Sequence, residues 1–450
     1  MPPAPSPFAI PLASAHYPEF GLYAIRREMP CPWEFRGWKP ESLSWKTGCY
    51  LHGGLSGRGS QVRYRGRGAS DFFASICVNN FSRFRPGTAK HAIMCTDKGL
   101  IAAHGVLQKL ADDEFRLFAS GPWAPYMHSK TAFEVEQIIE DRYLFQVAGP
   151  TSLDVLEAVT GESLRDIKFL RYRDATIAGK TVEIMRIGMA GTLAYELHGP
   201  TSEGPEVYDA VFEAGKAFGL ERLGWQTYPV NHVEGGFPQA NWTFLGAAHD
   251  DAGFMSHPDK LRWMPPDVSG SVDPANMRAR YRTPVEVGWE RSVQLDHDFL
   301  GREAVERELA NPTRTIVTLV WNPEDVLDVY ASLFREGPEY KTFELPTTPH
   351  FRRMIAHADH VLRDGKPVGI SSGTAYSYYF RKMISLCTID RDSAQIGTDV
   401  IVQWGDFGGP IKPIRARVER FPFLTEGRNQ EVDVASAASR GSDQPVTARA

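Results

Sequence analysis

The run RIGMAGTLAYELHGP, residues 186–200, sets a carboxylate, Glu196, inside a stretch that otherwise reads as a half-buried strand. Side chains alternate across a strand with period two, so Leu193, Tyr195 and Leu197 share one face and Ala194, Glu196 and His198 the other. Gly188 and Gly191 stand just upstream, where a backbone turns tightly or comes close to something. Glu196 is then either an acid on a wet face or an acid aimed at a ligand that presents paired N–H donors. A second stretch, YLHGGLSGRGSQ at 50–61, carries His52 and Arg58. It lacks the GK[ST] and the strand–helix context of a phosphate loop. Arg58 there suits either a solvated surface charge or bidentate pairing with an aromatic carboxylate. His104 and His232 are candidate pocket residues, each equally at home as a satisfied structural histidine.

Positioning such groups takes a sizeable core, and 450 residues predict two or three folding units. With 42% hydrophobic and 23% charged residues the composition is that of a globular protein. A net charge of −5 and the lack of a basic stripe argue against a nucleic-acid partner. No run approaches the roughly 20 apolar residues of a membrane span, and the N-terminus lacks the basic and apolar regions of a secretory signal. Cys31, Cys49, Cys77, Cys95 and Cys387 form no CxxC pair, which argues against a disulfide framework or a structural zinc. A cytoplasmic location is expected.

The Pro-rich residues 1–44 read as an extended leader. Residues 45–310 mix strands and helices in an α+β pattern. Within them, 72–84 reads as helical, 91–110 as a hairpin turning at Asp97–Gly99, and 151–161 as a helix opened by Thr or Ser and closed by Gly161. Residues 242–282, rich in Trp, Pro, Asp and Arg, read as a long ordered loop of the functional kind. Strand signals dominate 311–425, with a hairpin turn at DGKP, predicting a small all-β barrel or sandwich. Residues 426–450 read as a disordered tail.

Four blocks, in order, resemble the aminomethyltransferase (glycine-cleavage T-protein) superfamily: GRGASDFFASICVNNFSRFRPGTAKHAIMCTDKGLI, RIGMAGTLAYELHGP, LDHDFLGREAV and GKPVGISSGTAYSYYFRKMISLCTID. The resemblance implies interleaved antiparallel sheets and helices with a C-terminal β-barrel, and tetrahydrofolate as cofactor. It implies that Glu196 grips the pterin, whose 2-amino group and N3–H are adjacent donors that an ionised carboxylate accepts together. Asp would reach less far, and Gln would bring a donor to face a donor. By the same resemblance Arg186 opens the folate motif, and Gly191 keeps the turn low for the flat ring. Gln146 and Asn79 are lesser pterin candidates, while Trp242 could stack on the pterin or the substrate.

The aminomethyl-transferring members carry a catalytic Asp at the position of Ala103. Their GARDxxRxExG becomes GWQTYPVNHVEGG at 224–236, with Tyr228 and Pro229 where Arg and Asp stand. Both losses argue against glycine cleavage. A GCY at 48–50 matches the iron–sulfur-assembly branch in letters but not in place, and is set aside. The chain is similar instead to folate-dependent O-demethylases of the vanillate and syringate type, which share a Tyr at the position of Tyr228. The resemblance implies transfer of an O-methyl group from a methoxylated aromatic acid to N5 of tetrahydrofolate. Tyr228 would donate to the leaving oxygen, since its hydroxyl has the acidity of the departing phenol. Arg58, His52, His104, His232 and Tyr23 are the candidates for the substrate side. The rivals are a sulfonium S-demethylase, which needs no acid, and a folate-binding protein without turnover. The oligomeric state stays open.

Overall fold

The computed structural model describes residues 23–26, 29–53, 56–118, 121–257, 268–347 and 356–436, with side chains for all but 23–26, 29–31, 57–60 and 356. The sheet that carries Glu196 has ten strands. Its long member, Glu136–Ala148, pairs through its first half with Gly57–Arg65. Its second half lies between Ala194–Pro200 and Cys49–His52. The register sets Glu196 opposite Gln146, and Gln146 opposite His52. Residues directly opposite in antiparallel strands project to the same face, so these three polar side chains form one row.

The other face is a core. Tyr195, Leu197 and Phe145 pack there against Leu153 and Leu156 of the helix Ser152–Thr160 and Val207 and Val211 of the helix Gly204–Gly215. Burying one such side chain is worth about 1.5–3 kcal/mol. A one-residue slip would turn Glu196 and His198 into that core, so the register is strongly specified. The helix after Thr151 ends at Gly161, where φ is +71°, as its sequence predicts.

The hairpin about Asp97–Gly99 forms between Thr88–Cys95 and Ile101–Ala111. The helix read over 72–84 is instead Ala69–Ile76. It stops because Asn79 turns the chain and accepts the Ile93 N–H, bringing the segment into line with the hairpin. The leader is not extended throughout, since Trp38–Thr47 is a helix. Buried Glu41 in its first turn accepts the backbone N–H groups of Phe35, Arg36 and Gly224. The long loop is ordered by the buried guanidinium of Arg280, which donates to the carbonyls of Asp273, Asn276 and Val272; its residues 258–267 lie outside the described residues.

The C-terminal unit is a closed antiparallel barrel of six strands, from Arg314–Trp321 to Lys412–Glu419. The DGKP turn joins Asp359–Arg363 to Lys366–Ser377. One barrel wall, with Ile316, Ala375 and Ile384, packs on Val230 and Val233 of the helix Tyr228–Gly235. That helix is therefore clasped between the barrel and the polar row of the sheet. Part of the expected tail is structured: Asn429, Val432 and Val434 pack back onto the sheet domain, whereas 437–450 lie outside the described residues. No described helix is long and apolar enough to cross a membrane.

Candidate active site

Glu196 is 2% exposed. Its Oε1 accepts the Gln146 amide N–H at 2.9 Å, while Oε2 has no hydrogen bond among the described residues. His198 Nε2 lies 3.5 Å from Oε2. Gln61 fixes the proton there: its amide nitrogen sits 3.3 Å from the Tyr143 carbonyl and 3.1 Å from His198 Nδ1, so Nδ1 accepts and Nε2 of the neutral ring carries hydrogen. Beyond His198 the same face opens into a cleft of about 620 Å³ lined by Arg116, Arg142, Lys180 and Glu183.

With its nitrogen committed to Glu196, the Gln146 amide leaves Oε1 without a partner. Tyr50, on the strand with His52, accepts the Asn231 amide N–H at 3.1 Å, and Asn231 Oδ1 is likewise unsatisfied. Burial, reinforced by the charge of Glu196, pushes the Tyr50 hydroxyl far above the usual phenol range. Three buried acceptor oxygens without donors thus meet at one place. Each unmade hydrogen bond costs about 1–3 kcal/mol, so the cluster calls for a ligand rich in N–H groups.

The helix Tyr228–Gly235 supplies the opposite wall, and all eight of its residues are buried. Pro229 in its first turn pre-sets φ, and Gly236 closes it at φ +66°. The Tyr228 ring stacks on His52 with centroids 4.0 Å apart and planes within 9°. His52 Nδ1 donates to the Leu223 carbonyl at 2.9 Å, which leaves Nε2 as the acceptor of the neutral ring. Trp225 and Trp242 meet Tyr228 edge-on at 5.3 and 5.7 Å. Burial pushes His232 down to about 3, so it is neutral. Beside it a void of about 10 Å³, room for one water, touches Thr374 and Thr243.

The structure thus brings together Glu196, Gln146, His52, Tyr228, His232 and Trp242, with His104 farther along the same wall. The side chains of Arg58 and Tyr23 lie outside the described residues. Asn79 and Arg186 are occupied elsewhere, which corrects their assignment to the cofactor. Both ends of the Asn79 amide bond backbone, at Ile93 and Ser292. Arg186 donates to Asn429 Oδ1 at 3.1 Å and to the carbonyls of Asn429 and Val432, clamping the C-terminal segment. Gly191 has φ +82°, a left-handed conformation that L side chains rarely adopt, so the turn before Glu196 requires glycine. Tyr50 and Asn231 were missed. Tyr50 lies in the GCY set aside above, and Asn231 stands three residues after Tyr228, one helical turn on.

Similarity to known proteins follows these elements. Residues 58–242 match the GCVT N-terminal domain and 341–424 the glycine cleavage T-protein C-terminal barrel domain. The chain belongs to the glycine cleavage T-protein family. Within that family it is 38% identical to the sesamin methylene transferase of a Sinomonas species, over 90% of this chain and 93% of that one. It is 32% identical to the syringate O-demethylase of a Sphingobium species, over 89% and 92%. The glycine cleavage system aminomethyltransferase T of Bartonella henselae shares the fold, with TM-score 0.64 at 15% identity over 91% of this chain and 96% of that one.

The protein is an enzyme, and its cofactor is tetrahydrofolate, as in the T-protein family. The site fits that group. The reduced pterin carries N–H donors along one edge, and the unsatisfied oxygens of Glu196, Gln146 and Asn231 are all acceptors.

Proposed function

We propose that the protein moves a one-carbon unit from the oxygen of an aryl ether to N5 of tetrahydrofolate and releases a phenol. One observation carries the reading: unsatisfied acceptors suited to a pterin lie against a helix whose first residue is the phenol Tyr228. The names of two relatives support it, one a methylene transferase and the other an O-demethylase. When bound, tetrahydrofolate supplies a neutral amine nucleophile. Glu196 and Gln146 hold the donor edge of the ring, and Asn231 on the facing helix completes the grip. Tyr228 shares its proton with the departing oxygen as the carbon–oxygen bond breaks. A phenol with reference pKa about 10 matches a departing phenolate, so the proton moves at little cost. The aromatic packing around Tyr228 excludes water, which strengthens that hydrogen bond. A cytoplasmic location is consistent with the unpaired, buried Cys49, Cys77, Cys95 and Cys387.

The test is direct. Protein, tetrahydrofolate and a panel of methoxy- and methylenedioxyarenes, aromatic acids included, are mixed and the phenol is sought by mass. Folate-dependent phenol is expected. If folate binds and no arene yields phenol, the binding-only alternative stands instead. A sulfonium donor is already a good leaving group, so turnover of dimethylsulfoniopropionate by both the parent and Tyr228→Phe would identify an S-demethylase.

A further inference from the structure

The polar row around Glu196 has one member that donates. His198 stands two residues after Glu196 on the same face of the strand Ala194–Pro200 and is fully buried. Gln61 spends both amide hydrogens, one on the Tyr143 carbonyl and one on His198 Nδ1. Turned over, that amide would set its oxygen against the Tyr143 carbonyl oxygen, so its orientation is fixed and the imidazole hydrogen stays on Nε2. Phe118 meets the ring edge-on at 4.9 Å and supports it. The Nε2–H has no acceptor among the described residues, and Glu196 Oε2, 3.5 Å away, has no donor among them. That distance is too long for a good hydrogen bond. It suits two groups that each take a neighbouring atom on one edge of a ring. The same imidazole borders the cleft of about 620 Å³, so an opening adjoins the row.

From Gln146 toward His198 the row offers the two oxygens of Glu196 and then the Nε2–H, two acceptors and a donor. A 4-oxopterin presents the complement along one edge: the 2-amino group, N3–H and the 4-oxo oxygen, two donors and an acceptor. A carboxylate oxygen takes more than one donor, so Oε1 can keep Gln146 and receive the pterin as well. A 4-aminopteridine breaks the match, because its N3 carries no hydrogen and its 4-substituent sets a donor against a donor. Turned over to offer N1 and N8, a reduced 4-amino ring still brings the N8–H against the His198 Nε2–H.

We infer that His198 determines specificity in the folate site: its Nε2–H donates to the 4-oxo group of the pterin and so selects oxo- over aminopteridines. This rests on the pterin lying against Glu196. The test measures calorimetric Kd values for tetrahydrofolate and for 4-amino-4-deoxytetrahydrofolate on the same protein samples. The parent should prefer tetrahydrofolate by at least about 10-fold, the usual result of leaving a buried donor unpaired. His198→Phe keeps a ring beside Phe118 and has no donor. It should weaken tetrahydrofolate about 3- to 10-fold and change the 4-amino analogue less, which narrows the ratio. His198→Gln has an amide that can donate to an oxo group or accept from an amino group. It should hold tetrahydrofolate near the parent Kd and bind the analogue more tightly. Lost packing alone would weaken both ligands alike and leave the ratio where it was. A parent that binds both equally, or a ratio unmoved in the variants, would overturn the inference. If His198→Phe does not fold, His198→Gln decides alone. Glu196→Gln keeps the two questions apart. If it leaves the tetrahydrofolate Kd unchanged, the pterin does not lie on this row and the site reading fails. If it weakens tetrahydrofolate while the His198 variants leave the ratio unmoved, only the assignment of His198 falls.

Discussion

Glu196 has two oxygens with two different situations, and that asymmetry can be probed. Oε1 is held by Gln146, so in Glu196→Gln the amide oxygen can keep that bond while the new NH₂ replaces Oε2. A donor would then face the pterin donors. Hydrogen bonds to a charged group are worth about 1.5–3 kcal/mol, so the folate Kd should rise about 10- to 100-fold by calorimetry. An unchanged Kd would remove Glu196 from the pterin site. Tyr228→Phe separates chemistry from binding, because the ring that stacks on His52 is retained and only the hydroxyl goes. The kcat with an aryl ether should fall about 10²–10⁴-fold, the usual worth of a positioned proton donor, with folate affinity intact. Lost folate affinity with full kcat would contradict the assignment.

A helix of eight residues has little stability of its own, so the position of Tyr228–Gly235 is set by its neighbours. Its tether is Glu234, fully buried, whose Oε1 accepts the Ser377 hydroxyl at 2.5 Å and whose Oε2 meets Trp45 Nε1 and the Lys46 ammonium. The leader helix, the site helix and the barrel are joined at this one carboxylate. Burial lowers Lys46 to about 8 against the pull of Glu234, so the pair is costly to split. Glu234→Gln should destabilise the protein by about 3–5 kcal/mol in urea unfolding, and Lys46→Met with Glu234→Gln by less than that, because no charge is then left alone. Removing residues 427–436 should act on the other side of the site. Arg186 would lose Asn429 and Val432, and the Ala194 carbonyl would lose the Asn429 amide two residues from Glu196. A lower Tm and weaker folate binding are expected together. What the sequence makes legible at this scale is local. The alternation around Glu196, the Asp97–Gly99 hairpin and the DGKP turn are all short-range patterns. The site helix was not legible, because its sides are all buried and show no amphipathic stripe, and Pro229 reads as a loop residue. Tyr50 and the clamp of Arg186 on Asn429 depend on pairings between distant segments, which leave no local trace.

At the scale of the whole molecule, the neutral histidines tie stability to acidity. His91, His104 and His232 are uncharged in the folded protein, with His91 near 4 and His232 near 3, whereas each would titrate near 6.5 in the unfolded chain. Below pH 6.5 the unfolded state therefore binds protons that the folded state refuses, and stability falls as pH falls toward 4. Above pH 7 both states are deprotonated and these groups contribute no slope. Each histidine supplies about 1.4 kcal/mol per pH unit inside the window, so the three together give about 4 kcal/mol per unit. On that slope about 5 kcal/mol, the lower end of the usual range of domain stability, is lost by about pH 5.3, and about 10 kcal/mol by pH 4. Urea midpoints at pH 7, 6 and 5 measure the slope, and His91→Gln, which keeps an uncharged amide in place of the ring, should lower it by about one proton. A stability that stays level from pH 7 to pH 5 would mean that these rings take up protons in the folded state as readily as in the unfolded chain.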